Sequence, residues 1–325
     1  MIHHYLKIAF RNLWKYKNQT LISVVGLAVG FTCFAVAALW IRYEMTFDGF
    51  HKNADRIYCL SILNPFSSNE MSREHVPDIL DGYLKAAFPE IAHAISLRSF
   101  PNNQTEYEGV LHKVDVLEID SSFLSMFDIK IIEGSREFLI PESKKVAITR
   151  EKARQIFGNE SPVGKVILHN EYTVCAVVTG FSGHSNYPFD ILCPLKKLGG
   201  SLDHYSFGHT LIELLPGIDV EMFKKKLYEY TARGERNVIT GMTLTPLTAI
   251  HYKDPNLQRE VKFQHIIIFS VAGSLLILCT LFNYLTVFVS RFRIRQKEFA
   301  LRTVCGASSR SLFALLSVEF VLSLT

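Results

Sequence analysis

The chain has 325 residues, 48% of them hydrophobic, and its 35 basic residues slightly outnumber its 31 acidic ones, which gives a net charge of +4. This hydrophobic share is high for a soluble protein and predicts apolar segments that lie in a membrane. The basic excess is confined to short clusters beside apolar segments, which argues against a nucleic-acid partner.

The first residues form a basic amphipathic pattern. Apolar side chains recur at helical spacing at Leu6, Phe10, Leu13 and Trp14. The spacing predicts a helix over residues 6–17 that lies in the lipid headgroup layer. Residues 1–19 contain four basic and no acidic residues. The positive-inside rule therefore predicts that this amphipathic helix is cytoplasmic.

Two uncharged apolar segments, residues 20–41 and 266–289, are each long enough as helices to cross a hydrocarbon core of roughly 30 Å. We interpret them as transmembrane helices 1 and 2. A signal peptide cleaved after residues 35–37 is an alternative interpretation of the first segment. Neither segment contains an Asp, Glu, Lys, Arg or His residue, which argues against an ion-coupled carrier.

The predicted helix-packing residues of these segments are Gly26, Gly30 and Asn283. Gly26 and Gly30 form a GxxxG pattern, and such small residues let two helices approach closely. Asn283 is the one strongly polar side chain in the two segments. The pattern predicts that each segment packs against another helix.

Residues 42–265 are predicted to lie outside the cytoplasm, because the basic clusters are on the other side of both apolar segments. Helical periodicity is present over residues 76–84 and 220–227. Strand patterns occur over residues 57–63, 114–119, 146–149, 172–178 and 211–215. The predicted fold class is an α+β extracytoplasmic domain inserted between transmembrane α-helices.

One segment of the chain comes close to a known nucleotide-binding motif. Residues 158–166 are similar to a phosphate-binding P-loop, but five residues separate Gly158 from Gly164 where the motif has four. This segment is better explained as a turn that enters a strand. His204 and His209 have no carboxylate pair near them, and no nucleophile motif is present. We predict no catalytic residue, no metal site and no cofactor site, and hence that the chain is not an enzyme.

Three cysteines, Cys59, Cys175 and Cys193, fall in the predicted external domain. Their spacing fits no metal motif. We interpret them as small buried residues, and a Cys175–Cys193 disulfide is the alternative.

A basic segment, residues 290–311, follows the second apolar segment. On a helix, Glu298 can reach Arg295 at i−3 and Arg302 at i+4. Gly306 suits the left-handed residue that closes such a helix. A new apolar run follows at residues 312–325. It is too short to cross a bilayer and is predicted to be the truncated start of transmembrane helix 3.

Residues 298–307 resemble the E-I-G-x-R-x-x-x-G-A signature of MacB/FtsX-type ABC transporter permeases, which directly follows the second membrane helix of that family. Further stretches similar to the family are residues 6–13, 53–58, 120–127, 157–165 and 247–251. Ala300, Thr303 and Cys305 depart from the usual glycine, basic residue and apolar residue.

The resemblance implies that residues 290–311 are a cytoplasmic coupling helix that docks on a separate ABC ATPase subunit. That subunit would bind the ATP, so the chain would need no cofactor of its own. The implied interface residues are Arg295, Lys297, Glu298, Arg302, Gly306 and Ala307.

The resemblance also implies a MacB-like periplasmic core domain in a multi-pass protein of the inner (cytoplasmic) membrane. The implied partners are membrane lipid and a second permease half or a homodimer. A periplasmic adaptor and an outer-membrane protein are further candidates.

The implied function is export of antimicrobial compounds or similar substrates. A lipoprotein-release permease or a cell-wall-hydrolase-regulating permease of the same family is the alternative. A two-span membrane sensor is a second alternative. A sensor would continue its second span into a long heptad-patterned helix, whereas this chain has a glycine break and a new apolar run.

Overall fold

The computed structural model describes residues 17–63, 71–73, 75–169, 171–197, 201–235, 238–253, 263–294, 296–306, 313 and 317. The helix predicted over residues 6–17, apart from residue 17 itself, and most of the predicted third span lie outside these residues. The chain divides into two compact units, one formed by Met1–Tyr43 with Phe263–Thr325 and the other by Glu44–Lys262.

The helices of the described residues are α1 (Lys17–Met45), α2 (Leu80–Ala87), α3 (Phe123–Met126), α4 (Arg150–Phe157), α5 (Val220–Glu229), α6 (Ile250–Lys253), α7 (Phe263–Ile294) and α8 (Gln296–Val304). Short 3-10 helices occur at Ala54–Arg56, Glu137–Leu139 and Leu247–Ala249. The strands are β1 (Ile57–Leu63), β2 (Met71–Ser72), β3 (His75–Pro77), β4 (Ile91–Tyr107), β5 (Val110–Ile119), β6 (Ile131–Gly134), β7 (Lys145–Thr149), β8 (Val166–Ile167), β9 (Tyr172–Val178), β10 (Ile191–Pro194), β11 (Tyr205–Phe207), β12 (His209–Leu214), β13 (Ala232–Arg233), β14 (Val238–Ile239) and β15 (Thr243–Pro246).

The first unit contains the two long apolar helices, α1 and α7. Among the described residues, the windows that are apolar and long enough to cross a membrane are Ala28–Met45, with a mean hydropathy of 1.3, and Gln264–Thr286, with a mean hydropathy of 2.3. Most of each window is exposed within the protein. Exposed apolar helices of this length are suited to contact lipid, which solvates apolar side chains without cost.

The second unit is built on a mixed sheet that has eleven strands among the described residues. Nine strands follow one another in the order β15-β1-β12-β4-β5-β10-β7-β9-β6, while β2 pairs with β1 and β8 with β9. The pairs β5–β10 and β7–β9 are parallel, and the other neighbours are antiparallel. Helix α4 lies in the connection from β7 to β9, because parallel neighbours need a long crossover.

Capping residues set where the helices of this unit begin and end. The Thr149 side chain accepts a hydrogen bond from the backbone N–H three residues later, at the start of α4. Asp219 accepts two such bonds at the start of α5. Gly158 follows α4 with a φ of +63°, a backbone conformation that favours glycine.

Three groups of buried apolar side chains hold the helices on the sheet. Leu84 of α2 and Leu227 of α5 belong to one group, and both are fully buried. Ile156 of α4 belongs to another. The third group contains Phe123 and Phe138, which are among the largest fully buried side chains. Burial of such side chains contributes about 1.5–3 kcal/mol each.

The predicted fold class is confirmed, with a mixed α+β domain in the chain between two long apolar helices. The predicted strands 57–63 and 172–178 coincide with β1 and β9. The helix predicted over residues 76–84 begins only at Leu80, because Val76 belongs to β3 and pairs with β11. Strands β4 and β10 were not predicted.

Candidate functional site

Helix α8 carries the predicted coupling segment. It begins at Gln296, two positions after the end of α7. Leu301 is 66% exposed and Val304 is 86% exposed. These two side chains are three residues apart, so they are neighbours on the helix surface. The segment therefore presents apolar surface outside the apolar window of α7.

Gly306 closes this segment as its sequence predicted. Its φ is +90°, and its backbone N–H donates to the Thr303 carbonyl at 3.0 Å. The neighbouring Cys305 N–H donates to the Leu301 carbonyl at the same distance, 3.0 Å. A left-handed residue after these bonds is typical of a helix end.

The other predicted interface residues are described to different extents. Lys297 is exposed. Glu298 and Arg302 lie in the backbone of α8, but their side chains are not among those that the structure describes, and Arg295 and Ala307 lie outside the described residues. The i+4 pair of Glu298 with Arg302 therefore stays a prediction.

The predicted packing residues of α1 face α7 within the first unit. A Cβ atom added to Gly30 would lie 3.0 Å from Cβ of Thr280 and closer still to its Cγ2. A Cβ atom added to Gly26 would lie 3.5 Å from Nδ2 of Asn283, an ordinary contact. Trp40 and Phe269 also meet across the two helices, with ring centroids 4.9 Å apart. Thr280 was not predicted, because a threonine in an apolar helix has no distinctive pattern.

We expect Gly30→Ala to destabilise the packing of α1 on α7 by about 1–3 kcal/mol, because the added methyl group overlaps Thr280. Thermal unfolding of the detergent-solubilised chain measures this effect. Thr280→Ser removes the clashing Cγ2 atom and should restore most of the loss. Gly273→Ala is the matched control, since its added Cβ would lie 3.6 Å from Ala37 and Phe34. An equal loss from both glycine variants would contradict the packing argument.

The external domain has a cavity of about 370 Å³ beside β5. Its lining includes Asp120, Asp81 and Lys197. Lys197 pairs with Asp81 at 2.9 Å, and Asp120 accepts hydrogen bonds from the backbone N–H groups of Ser96 and Ser122. Burial raises the pKa of Asp120 to about 6. Each of these polar groups is bonded to another group of the domain, and this ion pair and these hydrogen bonds stabilise the wall of the cavity.

The three cysteines of the external domain have structural explanations. Cys175 and Cys193 are buried free thiols on β9 and β10, with β7 between these strands. Burial raises the pKa of both thiols, which keeps them protonated and unreactive. Cys59 is also buried and free. Their interpretation as small buried residues is confirmed, and the Cys175–Cys193 disulfide is not formed.

The histidines and the glycine-containing loop have structural explanations. His209 lies in β12, and its ring meets the edge of Tyr187 with centroids 5.3 Å apart. His204 is exposed. No group of three potential metal ligands occurs among the residues that the structure describes. Gly164 lies in a turn that leads into β8, as predicted.

The domain matches a known family and is similar in fold to solved structures. The model of the MacB-like periplasmic core domain family matches residues 20–230, which is more than half of the chain. The chain is similar to a domain from a Porphyromonas gingivalis protein described as a permease, with 19% identity and a TM-score of 0.53, over 66% of this chain and 99% of that one. No curated protein matches the chain significantly.

Two further solved structures are more distant. One is the periplasmic region of MacB from Actinobacillus actinomycetemcomitans, with 16% identity and a TM-score of 0.41, over 54% of this chain and 82% of that one. The other is the extracellular domain of the noncanonic ABC-type transporter YknZ from Gram-positive bacteria, with 12% identity and a TM-score of 0.41, over 58% of this chain and 99% of that one.

The family match and the two apolar helices together indicate a membrane protein with an extracytoplasmic domain. The chain belongs to the MacB-like periplasmic core domain family and is an ABC transporter permease of the MacB/FtsX type.

Proposed function

We propose that this chain is a permease subunit that couples ATP hydrolysis by a separate ABC ATPase subunit to movement of its extracytoplasmic domain. Export of antimicrobial compounds or similar substrates is the activity we assign to it. The observation that carries the proposal is the exposure of Leu301 and Val304 on α8. Apolar side chains exposed to this degree on a short helix are suited to a protein interface.

The length of α7 supports a mechanical form of coupling. It is one continuous helix of 32 residues, roughly 48 Å long at 1.5 Å per residue. A rigid element of this length transmits displacement from one end to the other. Movement of α8 on the ATPase would therefore move α7, and α7 would move the segment that leaves the domain.

The proposal includes the predicted membrane arrangement. Residues 1–19 and 290–311 would be cytoplasmic, residues 20–41 and 266–289 would span the inner membrane, and residues 312–325 would begin a third span. Residues 42–265 would form the extracytoplasmic domain. A second permease half or a homodimer would complete the transport unit.

The test exchanges the charges of the predicted coupling pair, by Glu298→Arg combined with Arg302→Glu. The exchange preserves an i+4 pair of opposite charges within the helix, so the helix itself should be maintained. We expect the ATPase subunit, co-expressed with the full chain, no longer to co-purify with it. Leu301→Asp with Val304→Asp should have the same effect.

The matched control is Glu221→Lys combined with Lys224→Glu. This pair is an exposed i, i+3 ion pair on α5 of the extracytoplasmic domain, with an N–O distance of 2.7 Å. Its exchange should leave co-purification unchanged. Normal assembly with the ATPase in the variant exchanged at residues 298 and 302 would refute the proposed interface.

A further inference from the structure

A second cavity of the external domain, of about 700 Å³, lies between α3, β6 and the 3-10 helix Glu137–Leu139. Strand β6 is the last strand in the order of the sheet. The cavity adjoins the one beside Asp120, because Ser121 and Leu139 line both. Its volume is in the range of small-molecule sites, roughly 300–1,000 Å³. The edge of the domain therefore has room for a small molecule.

One part of the cavity wall is apolar and continuous with the core. Ile129 is buried in the same group of core side chains as Phe123. Leu124, Ile131 and Leu139 pack against this group and are half-buried. All but Phe123 line the cavity. An apolar part of a ligand placed against this wall would be removed from water, as would the wall itself, and this burial favours binding.

The rest of the wall is polar and cationic. Lys130 and Arg136 line the cavity and are exposed. Neither side chain has a hydrogen-bond or ion-pair partner among the residues that the structure describes. Ser121 and Ser125 add two exposed hydroxyl groups. The described lining includes no Asp or Glu. Two unpaired cations and two hydroxyl groups together are suited to an anionic group.

The charge of this lining distinguishes it from a neighbouring cavity of about 580 Å³ beside α4. That cavity also has two cations, Arg150 and Arg154, but Glu133 and Glu160 line it as well. The two carboxylates balance the two guanidinium groups, so the α4 cavity offers an anion little net attraction. The comparison indicates that an anionic ligand would prefer the cavity of Lys130 and Arg136.

We propose that the cavity of Lys130 and Arg136 binds an amphipathic anion, a soluble small molecule with a phosphate or carboxylate group and a short apolar part. The two cations and the two serine hydroxyl groups would hold the anionic group. The apolar part would lie against the wall that Leu124, Ile131 and Leu139 form. This inference does not depend on the proposed ATPase partner, because it concerns the external domain alone.

Isothermal titration of the full chain with hexyl phosphate, in nanodiscs of phosphatidylcholine, tests the charged part of the site. We expect saturable binding at one site per chain. Lys130→Gln combined with Arg136→Gln should weaken it by about tenfold or more, since a charge-assisted hydrogen bond typically contributes that much. The matched control, Arg150→Gln combined with Arg154→Gln, should bind as the wild type does. An absence of binding, or an equal loss in both double variants, would overturn the proposal.

Inorganic phosphate tests the apolar part of the site in the same titration. It should bind at least about tenfold more weakly than hexyl phosphate, because it cannot bury the apolar wall. Ser125→Trp, at an exposed position of α3 that lines the cavity, should abolish hexyl phosphate binding by filling the space. Its thermal midpoint should stay close to that of the wild type. Equal affinities for the two phosphates, or full binding by a folded Ser125→Trp chain, would contradict an amphipathic site.

Nanodiscs that contain phosphatidylglycerol distinguish a soluble ligand from a membrane lipid with the same anionic chemistry. We expect hexyl phosphate to bind with unchanged affinity in these discs. Loss of its binding in proportion to the phosphatidylglycerol content would show that the lipid occupies the cavity, and would overturn the assignment to a soluble molecule.

Discussion

Arg98→Ala should destabilise the external domain by about 3–5 kcal/mol, the typical cost of removing one partner of a buried ion pair. Arg98 lies in β4 with its side chain 10% exposed. Its Nη2 is 2.5 Å from Asp78 Oδ2, and its Nη1 is 3.3 Å from Glu118 Oε2. Nη2 also donates to the Lys196 carbonyl at 2.9 Å. The guanidinium therefore joins two strands and two loops.

The loss of stability in Arg98→Ala arises because the Asp78 and Glu118 carboxylates lose the cation that pairs with them. The pKa of Glu118 is raised, mainly because its carboxyl group is buried. The Arg98 cation opposes this increase, and the Asp78 carboxylate adds to it. Without Arg98, the two carboxylates would repel each other in a poorly solvated place. The thermal midpoint should fall by roughly 10 °C, because 1 kcal/mol corresponds to about 2–4 °C in a domain of this size.

Neutralising the carboxylates supplies the control for this prediction. Arg98→Met combined with Asp78→Asn and Glu118→Gln should be more stable than Arg98→Met alone, since no uncompensated charge remains. If the triple variant were less stable by the sum of the single losses, the charge argument would be wrong and the residues would act only through packing.

A second large effect should come from His209 as the pH falls. Burial, together with the nearby Arg73 cation, lowers the pKa of His209 to about 4. In the unfolded chain, His209 binds a proton near pH 6.5. In the folded domain it does so only near pH 4, so the free energy of unfolding is highest above pH 6.5 and falls as the pH drops towards 4. The free energy of unfolding falls by about 3 kcal/mol, because each tenfold difference in proton affinity between the folded and the unfolded chain is worth about 1.36 kcal/mol.

Comparison with His209→Phe isolates this effect. The phenyl ring should keep the contact with Tyr187, and its lack of a titrating group removes the pH dependence. Denaturant unfolding should show the stability difference, wild type minus variant, falling by about 3 kcal/mol between pH 6.5 and pH 4. A difference that stays constant with pH would show that His209 is not held neutral by the fold.

Comparison of the wild type with Asp120→Asn should show a pH dependence of stability opposite to that of His209. Because the pKa of Asp120 is raised to about 6 in the folded domain, its protonation stabilises the domain fully below pH 3.8. This stabilisation is lost as the pH rises through 6. The stability of the wild type relative to Asp120→Asn should therefore increase on acidification. The two groups oppose each other in the same pH window, so single variants are needed to reveal either one.

Features with a strong local pattern were predictable from the sequence. The apolar segments at residues 20–41 and 266–289 lie within α1 and α7, since long uncharged runs have few alternative structures. Gly306 was predictable as a helix end because few residues adopt a positive φ. The strand over residues 57–63 was predictable from its β-branched and apolar residues, and six of its seven residues are buried.

Features that depend on distant contacts were not predictable in this way. Strand β4 contains Pro101 and two asparagines, which argue against a strand. The register with β5 shifts between Phe100 and Asn103, so Pro101 and Asn102 are left out of the ladder while pairing continues on both sides of them. Val76 fits a helical period with Leu80, yet it pairs as a strand with β11. The cluster of Glu44, Asn186 and His251 joins three distant segments, and no local spacing indicates such a contact.

The membrane sidedness of the chain is the claim on which the proposed coupling depends, and cysteine labelling of intact cells tests it directly. Val110→Cys, at an exposed position of the β4–β5 hairpin, is compared with the native exposed Cys305. Cys33 and Cys279 are first replaced by serine, and the buried Cys59, Cys175 and Cys193 are retained. With a membrane-impermeant maleimide, we predict labelling at residue 110 and none at residue 305 until the inner membrane is opened. Labelling at residue 305 together with protection at residue 110 would contradict the proposed arrangement.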